Sequence, residues 1–507
     1  MDTVVKAPPE VLSAVKAIKS LVKDGAAEHA RLQAIELNEK YPRCVEPLIS
    51  LSKIAEIQSD FIQSAHVAEK AFELQPGDPS HLVQASFAWV RAGHVDKALA
   101  ALGRGIDRHP GFIAYQINLA NAYERQNSND EAMEVVTQGR RKGIEAYAFD
   151  MIEGKILIKN KRWDEAEVVL KGMLERDDSP PESLAAARFQ LVKLYDKTER
   201  YDDAFATATE AYEKLNWTAP VGMFVERLDE AIEVYSSRNL KMWRRPTIDN
   251  ELPICIVGMP RSGTSLVEQI FGMHSQIAQA GEISASSIMT VRAQHVCDSY
   301  HNYPTCLIDM QPEDANRLQQ LFLEYVEPYR GDALRVSNKS LMNYEHLGLM
   351  SVIFPGMQAL HIKRHPLDNC LSCHLTEIII NQHRYAARLE DLAEVYKARQ
   401  RVWQHWQDVL DCRMLEIPYE SLTADQETWT RRLIDLTGLE WQDSCLDFHK
   451  SKRSAMTISY DQVNQKMYRS SVARWRNYEK HLGPLIDALV DEVEEHEALV
   501  ASQVKSD

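Results

Sequence analysis

The spacing of hydrophobic residues divides the chain into two parts. Up to about residue 215 the sequence is rich in Ala, Glu and Lys and reads as consecutive helices, and near 245–252 it becomes strand-like. Ile254, Cys255, Ile256 and Val257 form a short apolar run with β-branched members, the pattern of a strand buried on both faces. From Thr264 the rhythm turns helical, with Leu266, Val267, Ile270 and Phe271 on one stripe. Further strands are predicted at Leu334–Lys339, Ala359–Arg364 and Arg413–Pro418, separated by helical stretches. Val402, Trp403, Trp406 and Leu410 read as the apolar face of an amphipathic helix. Strands alternating with helices predict a parallel α/β sheet, in which ligands lie at the carboxyl ends of the strands.

The helical part is periodic. Pro42, Pro76 and Pro110 stand 34 residues apart, each closing a helical segment, and Ala98, Ala132 and Ala166 recur at the same interval. Ala204 continues the series after a longer step, with Ser179-Pro-Pro-Glu182 as the insertion. Trp89 and Tyr123 occupy one frame position, and Ser86, Ala120 and Gly154 another where small side chains let helices approach. The period, the small residues and the closing proline resemble the tetratricopeptide repeat over residues 10–215, best between 45 and 175. That resemblance implies an all-α superhelix over 1–215 whose concave face binds peptides or helps the chain to dimerise. Residues 216–250 read as a last helix and a linker, leaving 251–507 for the sheet domain.

Composition narrows the function classes. A chain of 507 residues predicts more than one domain, and 45% hydrophobic with 26% charged residues is a globular balance. A net charge of −16 argues against a general nucleic-acid binder, which needs a basic face. No apolar run of about 18 residues predicts a membrane span, and Met1 to Glu10 lacks the basic and apolar regions of a signal peptide. Eight scattered cysteines do not form a disulfide framework, so a cytoplasmic protein is expected.

The chemistry concentrates after the first strand. Gly258 and Gly263 bracket a turn between strand and helix, where free backbone amides and the helix dipole converge on an anion. The Gly-x4-Gly spacing is that of the nucleotide P-loop, but Thr264-Ser265 stands where that motif has Lys followed by Ser or Thr. Arg261, inside the loop, supplies the positive charge instead.

Pro260-Arg-Ser-Gly-Thr-Ser265 resembles the 5′-phosphosulfate loop of sulfotransferases that use 3′-phosphoadenosine 5′-phosphosulfate (PAPS). Arg364-His-Pro-Leu-Asp-Asn-Cys-Leu-Ser372 resembles their 3′-phosphate signature, and Gly281-Glu282, Asn338-Lys339 and Tyr419-Glu420 match in order. Within that family the likeness is greatest to tyrosylprotein sulfotransferases, and greater still to bacterial proteins that join tetratricopeptide repeats to such a domain. The segment from Tyr468 to Trp475 and on to Leu485 is typical of the latter group. The resemblance covers about residues 252–490 and implies a P-loop-type α/β fold with a central parallel sheet.

Its implied roles follow motif by motif. Arg261, Ser262, Gly263, Thr264 and Ser265 would hold the 5′-phosphate and the transferring sulfate, and Lys339 the bridging oxygen. Arg364 and Ser372 would take the 3′-phosphate, Tyr419 the adenosine, and Lys466 a further phosphate contact. Arg474 and Trp475 would close the site, and Glu282 would act as the base on the acceptor hydroxyl. A lysine and an arginine replace a metal in this scheme, so no metal is expected.

The acceptor stays open between a tyrosine on a peptide held by the repeats and a small molecule or lipid-linked saccharide. Ile283 stands where tyrosine-specific relatives carry a second acidic residue, and Ala473 where they carry a serine, leaving Ser470 or Ser471 as substitutes. Other classes considered are a P-loop kinase or NTPase and an inactive repeat scaffold. Cys370-Leu-Ser-Cys373-His374 spells a haem-attachment pattern, but within the Ser372 helix it reads as structural. His361, His365, His374 and His383 likewise read mainly as packing or surface residues, with His365 beside the nucleotide.

Overall fold

The computed structural model describes residues 7–504 except 59, 145, 217–218, 379–382, 452–466 and 468. The chain divides into two compact units, Met1–Pro180 and Pro181–Asp507.

The first unit is a run of helical hairpins: α1 (Pro9–Lys23), α2 (Ala27–Lys40), α3 (Val45–Ile57), α4 (Phe61–Leu74) and α5 (Ser80–Arg91). It continues with α6 (Val95–Arg108), α7 (Ile113–Arg125), α8 (Asn129–Arg141), α9 (Tyr147–Lys159) and α10 (Trp163–Leu174). Pro42, Pro76 and Pro110 follow the ends of α2, α4 and α6, where a proline cannot continue the helix. Ala98, Ala132 and Ala166 are completely buried, as are Ala120 and, within about a per cent, Ser86 and Trp89; Tyr123 is half-buried. One close approach repeats with the period. A Cβ on Gly105 would lie 2.4 Å from the Tyr115 ring, and one on Gly139 would lie 2.5 Å from the Phe149 ring. Glycine at these positions lets an aromatic ring of the next helix rest on the helix backbone.

The second unit opens with a further hairpin, α11 (Pro181–Lys197) and α12 (Tyr201–Leu215), followed by α13 (Val221–Val234) and α14 (Ser237–Met242). The sheet portion runs β1 (Pro253–Gly258), α15 (Thr264–Phe271), β2 (Ile277–Gly281), α16 (Ala285–Val296), α17 (Pro312–Arg330) and β3 (Arg335–Asn338). After it come α18 (Asn343–Ile353), β4 (Gln358–Lys363), α19 (Pro366–His374), α20 (Leu389–Val409) and β5 (Arg413–Pro418). The unit ends with α21 (Tyr419–Ala424), α22 (Gln426–Thr437), α23 (Gly483–Ala488) and α24 (Val490–Val504).

The five strands are parallel in the order β2-β3-β1-β4-β5, with Ile254 opposite both Ser337 and Gln358. The period of two sends neighbouring side chains to opposite faces. Cys255, Val257, Val336 and Ala359 join a core with Phe322, Leu347, Val352 and Trp403, while Ile254, Ile256, Leu360, Ile362 and Ile417 join Val267, Ile270, Phe271 and Leu433. The first core also takes in Leu228, Ala231, Tyr235, Leu240 and Trp243, so the stretch read as helix and linker is packed against the sheet domain. On α20, Val402, Trp403 and Trp406 are buried as the amphipathic pattern predicts, whereas Leu410 lies just past the helix end and is half-buried. The histidines at 361, 365, 374 and 383 are all buried too. Among the described residues, no helix is long and apolar enough to cross a membrane.

Candidate active site

The loop after β1 turns on two left-handed residues, Arg261 (φ 67°) and Gly263 (φ 114°). Gly263 is also pressed from outside, since a Cβ there would lie 2.7 Å from Tyr419 Cδ2. Helix α15 begins at Thr264, and its first turn closes on Gly263 O, which accepts the amides of Leu266 at 3.0 Å and Val267 at 3.3 Å. Ser262 is 1% exposed and its Oγ has no hydrogen-bond partner. A buried hydroxyl without a partner costs free energy unless a ligand or water meets it.

Helix α19 holds this loop from behind. Asn369 Nδ2 donates to Pro260 O at 2.8 Å, Cys373 Sγ to the same oxygen at 3.2 Å, and Arg261 Nε to Ser372 Oγ at 3.2 Å. Arg364, at the end of β4, donates from Nη1 to Arg261 O at 2.9 Å and from Nη2 to Ser471 O at 2.7 Å. It is 6% exposed, and its Nε is buried without a partner. The two anion motifs, about 100 residues apart in sequence, therefore meet at one place. Burial pushes the Cys373 thiol up to about 12 and the His374 imidazole down to about 4, and His374 Nδ1 faces Ala386 O at 2.9 Å. The Cys-x-x-Cys-His segment is thus packing inside α19.

Opposite stands Lys339, just beyond β3 and 2% exposed. Its Nζ donates to Glu282 Oε1 at 2.6 Å and lies 3.8 Å from Glu268 Oε2. The Glu282 side chain is 45% exposed, whereas Glu268 is 7% exposed. Glu268 was not legible as a site residue, because a glutamate next to an apolar stripe reads as a solvated helix face. The surrounding connectors are cross-braced: Asn338 Nδ2 donates to Ile283 O at 2.8 Å, and Ser286 Oγ to Asn343 Oδ1 at 2.9 Å.

The C-terminal segment lies against the same strand ends. Asp368, at the start of α19, accepts the amides of Ala473 at 2.7 Å and Trp475 at 2.8 Å. Burial raises the Asp368 carboxyl despite nearby Arg364 and these two donors. The Trp475 ring stacks near His365 at 5.9 Å, and Tyr419 lies 5.2 Å from the Arg364 guanidinium. Arg474 is engaged elsewhere: its guanidinium pairs with Asp196 of α11, to which Tyr478 also donates at 2.7 Å. Lys466 lies outside the described residues. The carboxyl ends of all five strands thus contribute: β1 the loop, β2 Glu282, β3 Lys339, β4 Arg364 and β5 Tyr419. Among the described residues, no group of three His, Cys, Asp or Glu side chains is arranged to hold a metal.

Residues 253–443 match the sulfotransferase family, and residues 92–247 match the coatomer epsilon subunit family. An uncharacterized protein of Aquifex aeolicus (strain VF5) is 26% identical over 444 residues, 85% of this chain and 57% of that protein. A protein-tyrosine sulfotransferase of Drosophila melanogaster is 20% identical over 267 residues, 49% of this chain and 53% of that protein. The chain thus spans little more than half the length of these relatives. Among solved structures, the sulfotransferase domain of the Synechococcus PCC 7002 olefin synthase aligns at 18% identity with a TM-score of 0.33, over 46% of this chain and 90% of that one. An all-helical region with a 34-residue period is thus followed in the chain by a stretch, residues 253–443, that is similar to the sulfotransferase family.

Proposed function

We propose that the chain transfers a sulfuryl group from PAPS to an acceptor hydroxyl, yielding a sulfate ester and adenosine 3′,5′-bisphosphate. The family match supports sulfuryl transfer as the general reaction. The observation that carries the donor assignment is the junction of the two anion motifs, Arg364 bonded to the carbonyl of Arg261 and Arg261 bonded to Ser372. The unpartnered Ser262 Oγ and Arg364 Nε fit a ligand with two phosphate-like ends. PAPS supplies the sulfuryl group on a phosphate leaving group.

The chain's residues divide the remaining work. Arg261 and the amides at the start of α15 hold charge on the 5′ side, and Arg364 with Ser372 holds the 3′-phosphate. Lys339 donates to the oxygen that takes up charge as the donor bond breaks, and Glu282 takes the proton of the acceptor hydroxyl. Sulfuryl transfer resembles phosphoryl transfer, so placing these charges supplies most of the catalysis. Tyr419 and Trp475 offer faces for the nucleoside, with Asp368 holding the segment that bears Trp475.

A tyrosine on a peptide is the favoured acceptor, supported by the likeness to the Drosophila protein-tyrosine sulfotransferase and by the repeat region. Incubation with PAPS labelled in sulfur tests this across tyrosine peptides, saccharides and small alcohols or phenols. Label on tyrosine peptides is expected; label on saccharides alone would replace the acceptor, and label on nothing would sink the reaction.

A further inference from the structure

The proposed reaction leaves one buried carboxylate at the site without a task. Glu268 lies on α15, and its Oε1 accepts the Gly281 amide at 2.8 Å while Oε2 stands 3.8 Å from Lys339 Nζ. Its backbone carbonyl accepts Gln279 Nε2 at 2.5 Å. Gly281 directly precedes Glu282 and has φ 75°, and its carbonyl accepts the Lys339 amide at 2.9 Å. One side chain thus touches both the turn that carries Glu282 and the ammonium of Lys339.

We propose that Glu268 is a positioning residue for sulfuryl transfer, fixing the Gly281–Glu282 turn and serving as the permanent counter-ion of Lys339. The inference rests on the reaction proposed above. In the structure Glu282 and Lys339 satisfy each other at 2.6 Å. During turnover the acceptor oxygen bonds to sulfur as the sulfur–oxygen bond to the leaving phosphate breaks, and the acceptor's proton passes to Glu282. Glu282 then no longer offers Lys339 a negative charge. Lys339 is 2% exposed, and a buried ammonium is costly unless an anion stands beside it. Glu268 remains beside it throughout, because it is buried and tied to the Gly281 amide. The exposed glutamate is the one free to move, and the buried one holds the charge.

Glu268→Gln separates this role from simple packing, since the amide keeps an oxygen for Gly281 and removes only the charge. Three readouts apply to the full-length chain: stabilisation by adenosine 3′,5′-bisphosphate, carbamylation of Lys339 by cyanate at pH 7.5 read by peptide mass spectrometry, and steady-state rates. Cyanate reacts with the neutral amine, so in a Glu282→Gln background, where Glu268 is the remaining anion, Lys339 modification should rise about tenfold on adding Glu268→Gln and little on adding Glu268→Asp. Stabilisation by the nucleotide should be unchanged. The kcat should fall on the order of 10²-fold with KM nearly constant, and the alkaline limb of its pH profile should move to lower pH. Unchanged carbamylation of Lys339 on adding Glu268→Gln to Glu282→Gln overturns the inference whatever the rates do. Absence of transfer by the unaltered protein instead overturns the proposed reaction, and carbamylation still decides the pairing.

Discussion

Arg364→Lys separates recognition of the 3′-phosphate from support of the loop. Two of the three nitrogens of Arg364 already serve the protein, Nη1 on Arg261 O at 2.9 Å and Nη2 on Ser471 O at 2.7 Å. Only Nε is buried and unpartnered, which makes it the donor proposed for a 3′-phosphate. Lysine preserves the charge but has no fork, and it cannot hold two carbonyls and still donate along the Nε direction. A hydrogen bond between charged partners contributes about 1.5–3 kcal/mol, which corresponds to a loss of roughly 10- to 150-fold in affinity. Calorimetric titration with adenosine 3′,5′-bisphosphate should show that loss, while AMP, which has no 3′-phosphate, should weaken less than about threefold. Equal weakening of both nucleotides would show that Arg364 acts only by holding the loop and does not recognise the 3′-phosphate.

Lys339→Ala should abolish transfer while leaving affinity for adenosine 3′,5′-bisphosphate within about threefold, read by rate and titration on the same sample. Gly139→Ala would place a Cβ 2.5 Å from the Phe149 ring; overpacking of this kind costs about 1–3 kcal/mol, so the melting temperature of the repeat unit should fall with transfer to a small acceptor preserved. Stability should also fall on acidification. Burial lowers His346, His365 and His374 to about 4 and His383 to about 3, below the unfolded value of 6.5, so the unfolded chain binds more protons as pH drops through 6.5. Each such histidine contributes up to about 1.4 kcal/mol per pH unit, and the urea midpoint should decline from pH 7 to pH 5; a flat profile would show that these side chains are not held neutral.

The repeat region was legible because proline and alanine mark its period directly. The Gly105–Tyr115 and Gly139–Phe149 contacts were not, since a ring lying over a glycine in the preceding helix follows no single-helix spacing. Four of the five strands were predicted, the first as an apolar run and the others as short stretches between helices. The strand at Ile277–Gly281 was not, because Ile-Ala-Gln-Ala-Gly has one β-branched residue and lies at the sheet edge. Both anion motifs could be read from short local spacings and from family likeness. Their meeting point depends on β1 and β4 being neighbours, a fact of topology rather than of local sequence. Glu268 was missed because its partners, Gly281 and Lys339, stand at the ends of β2 and β3, far from it in sequence. Asp196 was missed because it lies 278 residues from Arg474, in a hairpin whose period assigned it to the repeats.

Ser262, Arg261 and Arg364 are proposed to form one clamp for a nucleotide with phosphates at both the 3′ and 5′ positions. The most direct measurement is the melting temperature of the full-length chain with saturating adenosine 3′,5′-bisphosphate against saturating ATP and Mg²⁺. Binding at 100 times the dissociation constant stabilises a fold by about 2.7 kcal/mol, a shift of several degrees. The larger rise is expected with adenosine 3′,5′-bisphosphate, and a larger rise with ATP and Mg²⁺ would contradict the two-phosphate clamp.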